Sequence, residues 1–211
     1  HQAELKEISG LSNLIIFYHQ DHMGASAARN LGIEKSRGEY ILFLDDDDLL
    51  HPKMIESSIN HLKRNSDADV SVCLFELFFS PCFQEGCSPI SSLFNYRHLS
   101  EHPLNSIVHM PFVPADILER SSSHAFNNYD IPIHSCLIRK AALGNTLFKE
   151  DLAIGEDRYF FLQLAHHNIK FSLNPRILVF INRHPNNITG DKKKILKSIL
   201  YYHKKRLGSG M

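Results

Sequence analysis

The sequence predicts an α/β fold in which helices flank a mostly parallel sheet, and three observations lead to this prediction. Apolar runs of strand length alternate with segments whose apolar residues recur at helical spacing. At 211 residues and 43% hydrophobic content, the chain is long enough to bury the core of one domain. Four consecutive aspartates follow one apolar run, at the kind of strand end where open α/β sheets bind ligands.

The elements of the first part of the chain are predicted in the order strand, helix, strand, helix, strand. The strands are expected at residues 14–18, 40–44 and 70–79, and the helices at residues 24–37 and 51–64. Gly38 is a typical stop signal for the first helix. This order predicts parallel strands that are joined by right-handed crossovers.

Residues 81–127 are polar, contain five prolines and lack a clear period. Such a stretch is typical of a functional loop, and we expect it to determine specificity. After it, a helix is predicted at residues 159–166 and a strand at residues 176–181. The predicted organisation is one domain at 1–190, a basic amphipathic helix at 191–207 and a short tail of cloning origin at 208–211.

Charge and composition argue against several classes of protein. Basic and acidic residues number 23 each, so the net charge is zero, which argues against nucleic acid as a partner. No apolar stretch approaches the roughly 18 residues of a membrane span and no signal peptide is visible, so a cytoplasmic location is predicted. The cysteines lack CxxC spacing, which argues for reduced thiols rather than a zinc site; they are Cys73, Cys82, Cys87 and Cys136.

The run from Asp45 to Asp48 is the main chemical signal. It follows an apolar run typical of a strand buried on both faces. Clustered carboxylates suit Mg²⁺ or Mn²⁺, and substrate phosphates usually complete the coordination of such ions. The sequence therefore predicts a metal and diphosphate site. The alternative is that these acids cap the helix expected near Pro52, because Asp is favoured before a helix and Pro at its first position.

A second acidic pair, Glu156 and Asp157, follows Gly155 where a helix is about to begin. The helix dipole and the free backbone amides stabilise acids at such a place, so capping is one interpretation and a catalytic role is the other.

The strand predicted at 176–181 delivers Arg183 and His184 to its carboxyl end. In that position the guanidinium is suited to phosphate oxygens and a neutral imidazole to a metal ion.

Together these segments resemble the family 2 glycosyltransferases, which transfer sugars from nucleotide sugars and have the GT-A fold, a Rossmann-like α/β fold. Residues 24–48, with Ala28-Arg29-Asn30 and the aspartate run, are similar to the ARN helix and DxD motif of the family. Residues 148–162, with Gly155-Glu156-Asp157, are similar to the segment that carries its catalytic base. Residues 182–189 are similar to its Arg-x-His element near the metal and diphosphate.

The resemblance implies a role for each matched residue. The metal, Mn²⁺ or Mg²⁺, would be bound by Asp47, Asp45 and His184. The donor nucleotide would be bound by Arg29, Asn30, Asp45, Asp46 and Arg183. Asp157 would accept the proton of the acceptor hydroxyl, and Glu156 would orient that site or the acceptor. The hydroxyl would attack the anomeric carbon opposite the leaving group, so the configuration would invert.

The implied function is an inverting, metal-dependent transfer of a sugar from a nucleotide sugar, with UDP-sugar as the favoured donor, to a hydroxyl of a glycan or lipid-linked acceptor. Polysaccharide biosynthesis is the expected setting. The nucleoside-binding strands that begin the family fold have no counterpart before residue 14, so an N-terminally truncated GT-A-like fold is expected.

Two other functions remain open at this stage. One is a catalytically inactive transferase-like fragment that serves as a binding or partner module. The other is a nucleotidyltransferase, which the absence of a Gly-rich phosphate loop followed by Lys disfavours.

The C-terminal helix predicted at 191–207 has lysines around a narrow apolar stripe. It either lies on the anionic inner face of a membrane, where lipid-linked acceptors reside, or is an ordinary helix with a solvated lysine face. It is also a candidate surface for oligomer formation.

Overall fold

The computed structural model describes residues 15–21, 23–78, 131–152 and 154–182. In chain order the elements are α1 (Ala25–Lys35), β1 (Tyr40–Leu42), β2 (Leu49–Leu50), α2 (Met54–Arg64), β3 (Val70–Phe78), a 3-10 turn (Ile133–Ser135), β4 (Cys136–Arg139), α3 (Lys140–Leu143), α4 (Glu156–His166) and β5 (Phe171–Asn182). The prediction of an α/β fold is therefore confirmed for this part of the chain.

The five strands form one mixed sheet in the order β1-β4-β3-β5-β2. β3 and β5 pair in parallel, whereas β4 pairs antiparallel with both β1 and β3, and β2 pairs antiparallel with β5. Hence β1, β3 and β5 run in one direction, as predicted, but of the four described pairings only one is parallel. The prediction of a mostly parallel sheet was wrong in this respect because it did not include β4, which enters between β1 and β3.

Alternate residues of the strands face two different helix layers, because successive side chains of a strand point to opposite faces. On one face, Ile41 and Val70 pack with Phe160 and Phe161 of α4. On the other face, Leu137 packs with Leu62 of α2, and Cys73 and Val179 pack with Met54 of the same helix. The sheet is thus covered on both faces, which leaves its edges and strand ends for a site.

The helices are close to their predicted positions, with shorter ends. α1 begins after Gly24, whose φ is 88°, and ends before Ser36, so Gly38 is not its stop residue. α2 buries Met54, Ser58 and Leu62, which lie one turn apart on a single face.

The strand predicted at 14–18 is wrong for its described part. Residues 15–18 are not in a strand, and no strand of the described part pairs with them. Three consecutive apolar side chains are exposed here, with 63% exposure at Ile16, 59% at Phe17 and 48% at Tyr18. An apolar run becomes a strand only where a neighbour accepts its backbone hydrogen bonds, so composition alone was insufficient.

Several predictions fall outside the described residues: the irregular stretch at 81–127, the pair Arg183 and His184, the basic helix at 191–207 and the tail at 208–211. Within the described ranges, no helix has the length and apolar character needed to cross a membrane.

Candidate functional site

The aspartate run forms a tight turn between β1 and β2. The amide of Asp48 donates to the carbonyl of Asp45 at 3.3 Å, which reverses the chain so that Leu49 and Leu50 pair with β5. The capping alternative is wrong, because α2 begins only at Met54, its N-cap is Lys53, and no side chain caps it. The four acids therefore lie beyond the end of β1 rather than at the start of a helix.

Asp48 is buried and ties the turn to β5. Its Oδ1 accepts a hydrogen bond from the amide of Asn182 at 2.8 Å. A carboxylate that is removed from water needs such donors or an opposite charge. This contact fixes the aspartate turn against the end of β5, whose next residues are the predicted Arg183 and His184.

His134 is a member of the site that the sequence prediction missed. It lies in the turn before β4. Because β4 runs antiparallel to β1, β4 begins at the same end of the sheet at which β1 ends. Its Nδ1 is 3.2 Å from Oδ2 of Asp48, and both side chains are almost fully buried. The only local signal is the apolar run around Ile131 and Ile133, which indicates that this segment enters the core.

Asp45, Asp48 and His134 form the candidate metal site of the described residues. Each offers one ligand atom, and these atoms lie within 4.8 Å of one another. Ligands of an octahedral Mg²⁺ lie about 2.1 Å from the ion, and hence about 3 to 4 Å from each other. A small contraction would give this spacing, so the donor set fits a divalent cation. It shares Asp45 with the predicted set but contains Asp48 and His134 where the prediction had Asp47 and His184.

Arg29 of α1 joins the two acidic motifs. Its Nη2 donates to Asp45 at 2.9 Å and its Nη1 to Glu156 at 2.8 Å. Burial by itself lowers the pKa of the Arg29 guanidinium, but the two carboxylates outweigh it and the net pKa is raised. Arg29 thus stays positively charged, and it brings the end of β1 and the start of α4 to one place.

Asn30, the neighbour of Arg29, binds the backbone of Phe148. Its Oδ1 accepts from the amide of Phe148 at 2.8 Å, and its Nδ2 donates to the carbonyl of the same residue at 3.0 Å. The Nδ2 also donates to the side chain of Glu150 at 3.0 Å. Both polar atoms of the Asn30 amide therefore have protein partners on the segment that leads to α4.

The ring of Phe148 belongs to an aromatic cluster with Phe43 and Phe160. It stacks on Phe160 of α4 with ring centroids 4.1 Å apart and planes at 4°. It meets Phe43 edge to face at 5.1 Å, and the guanidinium of Arg29 lies 5.4 Å from its centroid. Such contacts fix relative orientation as well as adding burial. The cluster connects Phe43, directly after β1, to the helix of Glu156 and Asp157.

Glu156 and Asp157 occupy the first turn of α4, as the sequence predicted. Gly155 precedes them in the left-handed region at φ 77°, and no side chain caps the helix. Asp157 Oδ1 accepts from the amide of Arg158 at 2.7 Å, whereas Glu156 binds Arg29. Glu156 therefore makes no capping hydrogen bond, although it lies in the first turn, where the helix dipole stabilises an acid.

The described part of the chain brings together Arg29, Asp45 and Glu156 through direct contacts. Asp46 is exposed on the turn, and Asp47 is partly buried beside it. The predicted donor and metal roles of Asp46, Asp47 and Asn30 stay predictions.

Comparison with known proteins gives a matching family and several relatives. The profile of the family described as Glycosyl transferase family 2 matches residues 2–88. An uncharacterised glycosyltransferase of Rickettsia conorii is 26% identical over 79% of this chain and 23% of its own length. The minor teichoic acid biosynthesis protein GgaB of Bacillus subtilis is 31% identical over 69% of this chain and 14% of its own length. The chain thus spans less than a quarter of either relative.

Solved structures of Staphylococcus aureus TarS share the fold. TarS 1–349 in complex with UDP-GlcNAc aligns with a TM-score of 0.59 at 14% identity, over 90% of this chain and 48% of that chain. The complex of the same TarS fragment with UDP aligns with a TM-score of 0.54 at 16% identity, over 93% of this chain and 52% of that chain.

Proposed function

This chain belongs to glycosyltransferase family 2, and from that membership we propose that it transfers a sugar from a UDP-sugar to a hydroxyl of a glycan or lipid-linked acceptor, with inversion at the anomeric carbon. The observation that carries the proposal is the contact of one guanidinium with both Asp45 and Glu156. A transferase of this kind needs groups that bind the donor diphosphate on one side of the transferred sugar and a base for the acceptor hydroxyl on the other. Arg29 contacts both of the motifs that would supply these groups.

Asp157 is proposed as the base. It follows Glu156 in the first turn of α4, so it lies one residue from the group that Arg29 holds. An ionised carboxylate there would accept the proton of the acceptor hydroxyl as its oxygen attacks the anomeric carbon. The bond from that carbon to the diphosphate breaks, and the electron pair leaves with the nucleoside diphosphate. A positioned base typically contributes about 10²- to 10⁴-fold to the rate.

Arg29 is proposed as the phosphate contact. A guanidinium binds phosphate oxygens through paired hydrogen bonds, and this one remains charged at any working pH because its pKa is raised. On donor binding, it would exchange its contact with Asp45 for the diphosphate while retaining Glu156. Asp46 and Asp47, on the same turn, are proposed to face the nucleotide, and Arg183 is proposed as a second phosphate contact.

A divalent cation is proposed to bind at Asp45 and Asp48 with His134, and Asp47 or His184 would complete the set on the donor side. When bound, the cation neutralises the charge that develops on the leaving diphosphate. An imidazole among carboxylates favours Mn²⁺ over Mg²⁺, since Mg²⁺ strongly prefers oxygen ligands. His134 would ligate as the neutral imidazole.

The donor is proposed to be UDP-GlcNAc in the first instance, because the similar fold of TarS has been solved with that compound. One relative is a teichoic acid biosynthesis protein, so polymers of that kind are the first acceptors to screen. A cytoplasmic location, at the inner face of a membrane when the acceptor is lipid-linked, is part of the same proposal.

The test is a radiolabelled transfer assay with UDP-GlcNAc and Mn²⁺, combined with calorimetric titration of UDP. Asp157→Asn should lower turnover by about 10²-fold or more while leaving UDP affinity unchanged. The matched control is Asp67→Asn. Asp67 is an exposed aspartate that precedes β3, pairs with Lys170 and lies at the opposite end of the sheet. Metal-dependent UDP binding without turnover of any sugar donor would instead support the non-catalytic binding module.

A further inference from the structure

We infer that Asn30 is a positioning residue, which sets the place of the catalytic helix α4 through the backbone of Phe148 rather than by touching the donor. This inference rests on the proposed function. It starts from the two-point hydrogen bond in which one amide side chain satisfies both the N–H and the C=O of Phe148, at 2.8 and 3.0 Å. Two antiparallel bonds of this kind fix both the distance and the orientation of the bound peptide.

The bound segment has no regular structure of its own to fix it. Residues 144–155 lie between α3 and α4 and form neither helix nor strand where the structure describes them. Their position therefore depends on specific contacts. Besides the bonds from Asn30, the segment receives a solvent-exposed 3.3 Å hydrogen bond from the side chain of Gln163 to the carbonyl of Leu147. The bonds at Phe148 are shorter and partly buried, so they are the stronger constraint.

The position of Phe148 is transmitted to α4 by packing. Its ring stacks on Phe160 at 4.1 Å, and Phe160 is fully buried. Phe160 lies three residues after Asp157, so the two share neighbouring positions on one side of the helix. A shift of Phe148 would move or tilt the first turn of α4, because close-packed interiors have no free volume to absorb it.

The same clamp is adjacent to the charged bridge. Arg29 precedes Asn30 in α1 and binds Glu156 in the first turn of α4. Asn30 binds the backbone of Phe148, whose ring packs on Phe160 of the same helix. Both polar atoms of the Asn30 amide are thus hydrogen-bonded within the protein, which suits a positioning role rather than a contact to the donor. The acids of α4 would carry out the reaction at the position that this support determines.

The experiment compares Asn30→Ala and Asn30→Asp with the unaltered chain, using transfer from UDP-GlcNAc and calorimetric binding of UDP. The aspartate variant keeps the acceptor for the Phe148 amide and guards against failure of the alanine variant to fold. We expect kcat to fall on the order of 10²-fold, since a misplacement of about 1 Å has that effect, while KM for the donor and UDP affinity stay unchanged. Gln163→Ala, which removes the exposed bond to Leu147, should leave kcat unchanged.

A double variant distinguishes positioning from general loss of structure. If Asn30 acts through Asp157, then adding Asn30→Ala to Asp157→Asn should not lower kcat further, because the base that it positions is already absent. Independent, multiplying losses would overturn the inference. So would weaker UDP binding with kcat unchanged, since that result would make Asn30 a donor contact.

Failure of the proposed function is recognised separately. If the unaltered chain transfers no sugar, amide hydrogen exchange of the same variants still tests the clamp. Faster exchange at Phe148 and in the first turn of α4 for Asn30→Ala, but not for Gln163→Ala, would support the positioning role. Unchanged exchange at both places would overturn it.

Discussion

Arg29 donates from Nη1 to Glu156 Oε1 over 2.8 Å, and so connects residues that are 127 positions apart. The same guanidinium reaches Asp45 at 2.9 Å, so one largely buried cation holds the strand-end turn and the start of α4 together. Asp45 is 44% exposed and Glu156 17%, which makes the second contact the better shielded of the two. The Glu156 contact is therefore the more sheltered part of the bridge, and the Asp45 contact is the part that is more open to solvent.

Arg29→Lys tests the double contact of Arg29 with Asp45 and Glu156. A lysine keeps the charge but cannot contact two carboxylates with a planar fork, so it should retain one contact and lose the other. We expect the free energy of unfolding to fall by about 1.5 to 3 kcal/mol, the range for a hydrogen bond to a charged group, and UDP affinity to fall as well. Chemical denaturation and calorimetry measure the two effects. Lys35→Ala, at the exposed end of the same helix, is the control, and equal losses in both variants would contradict the bridge.

Metal binding distinguishes two ligand sets. The sequence predicts Asp45, Asp47 and His184, whereas the described structure brings together Asp45, Asp48 and His134. His134→Gln should weaken Mn²⁺ binding at least about tenfold, since loss of even an outer partner of a metal site has that effect. Electron paramagnetic resonance of free Mn²⁺ measures the affinity. His167→Gln, which changes an exposed histidine at the end of α4, is the matched control. Undiminished binding in His134→Gln would favour the sequence-based set.

The elements that could be predicted are those with a strong local signal. β1, α2, β3 and α4 coincide with clear apolar runs or helical periods in the sequence and lie close to their expected positions. The place of β4 (Cys136–Arg139) between β1 and β3 is decided by pairing with strands that are distant in sequence. No local period encodes such a pairing, so both the mixed sheet and His134 were missed.

The candidate site, too, was only partly predictable from the sequence. The residue types at Asp45, Glu156 and Asp157 indicated carboxylate chemistry, and the resemblance assigned them to two motifs. That Arg29 joins the motifs depends on how α1 packs against both, which follows from the tertiary fold. For Asn30, the motif suggested a donor contact, whereas its amide binds the backbone of Phe148. A motif records which residue is needed but not which partner it has.

Two buried thiols should make the protein less stable at alkaline pH. Burial raises the pKa of Cys73 from 9.0 to about 12, and burial also raises that of Cys136. Above pH 9 the unfolded chain loses these protons while the folded chain keeps them, so unfolding releases protons and stability falls as pH rises. The slope is about 1.4 kcal/mol per pH unit for each such thiol, and the decline for Cys73 should continue to about pH 12.

Denaturant titrations from pH 8 to higher pH measure this slope. Because other groups also titrate, the test is the difference from the double variant Cys73→Ala with Cys136→Ala, which should have a shallower slope although it is less stable at pH 8. Peptide-resolved alkylation gives a second readout, in which both thiols of the folded protein should react slowly. Parallel slopes in the two proteins would contradict the raised pKa values.

A pair of glycines tests the geometry that presents the acids. Gly155 turns the chain into α4 with φ 77° and ψ 19°, a left-handed conformation that disfavours any residue with a Cβ. Gly155→Ala should therefore lower the free energy of unfolding by about 1 to 2 kcal/mol, and it should lower turnover because Glu156 and Asp157 follow directly.

Gly32 lies inside α1, and nothing lies within 4 Å of the position of an added Cβ. Gly32→Ala should therefore raise the free energy of unfolding by about 0.5 to 1 kcal/mol. The same exchange is thus expected to have opposite signs at two sites, and urea titration measures both. If Gly155→Ala were neutral, Gly155 would not be held at positive φ in solution, and the first turn of α4 would have to begin differently.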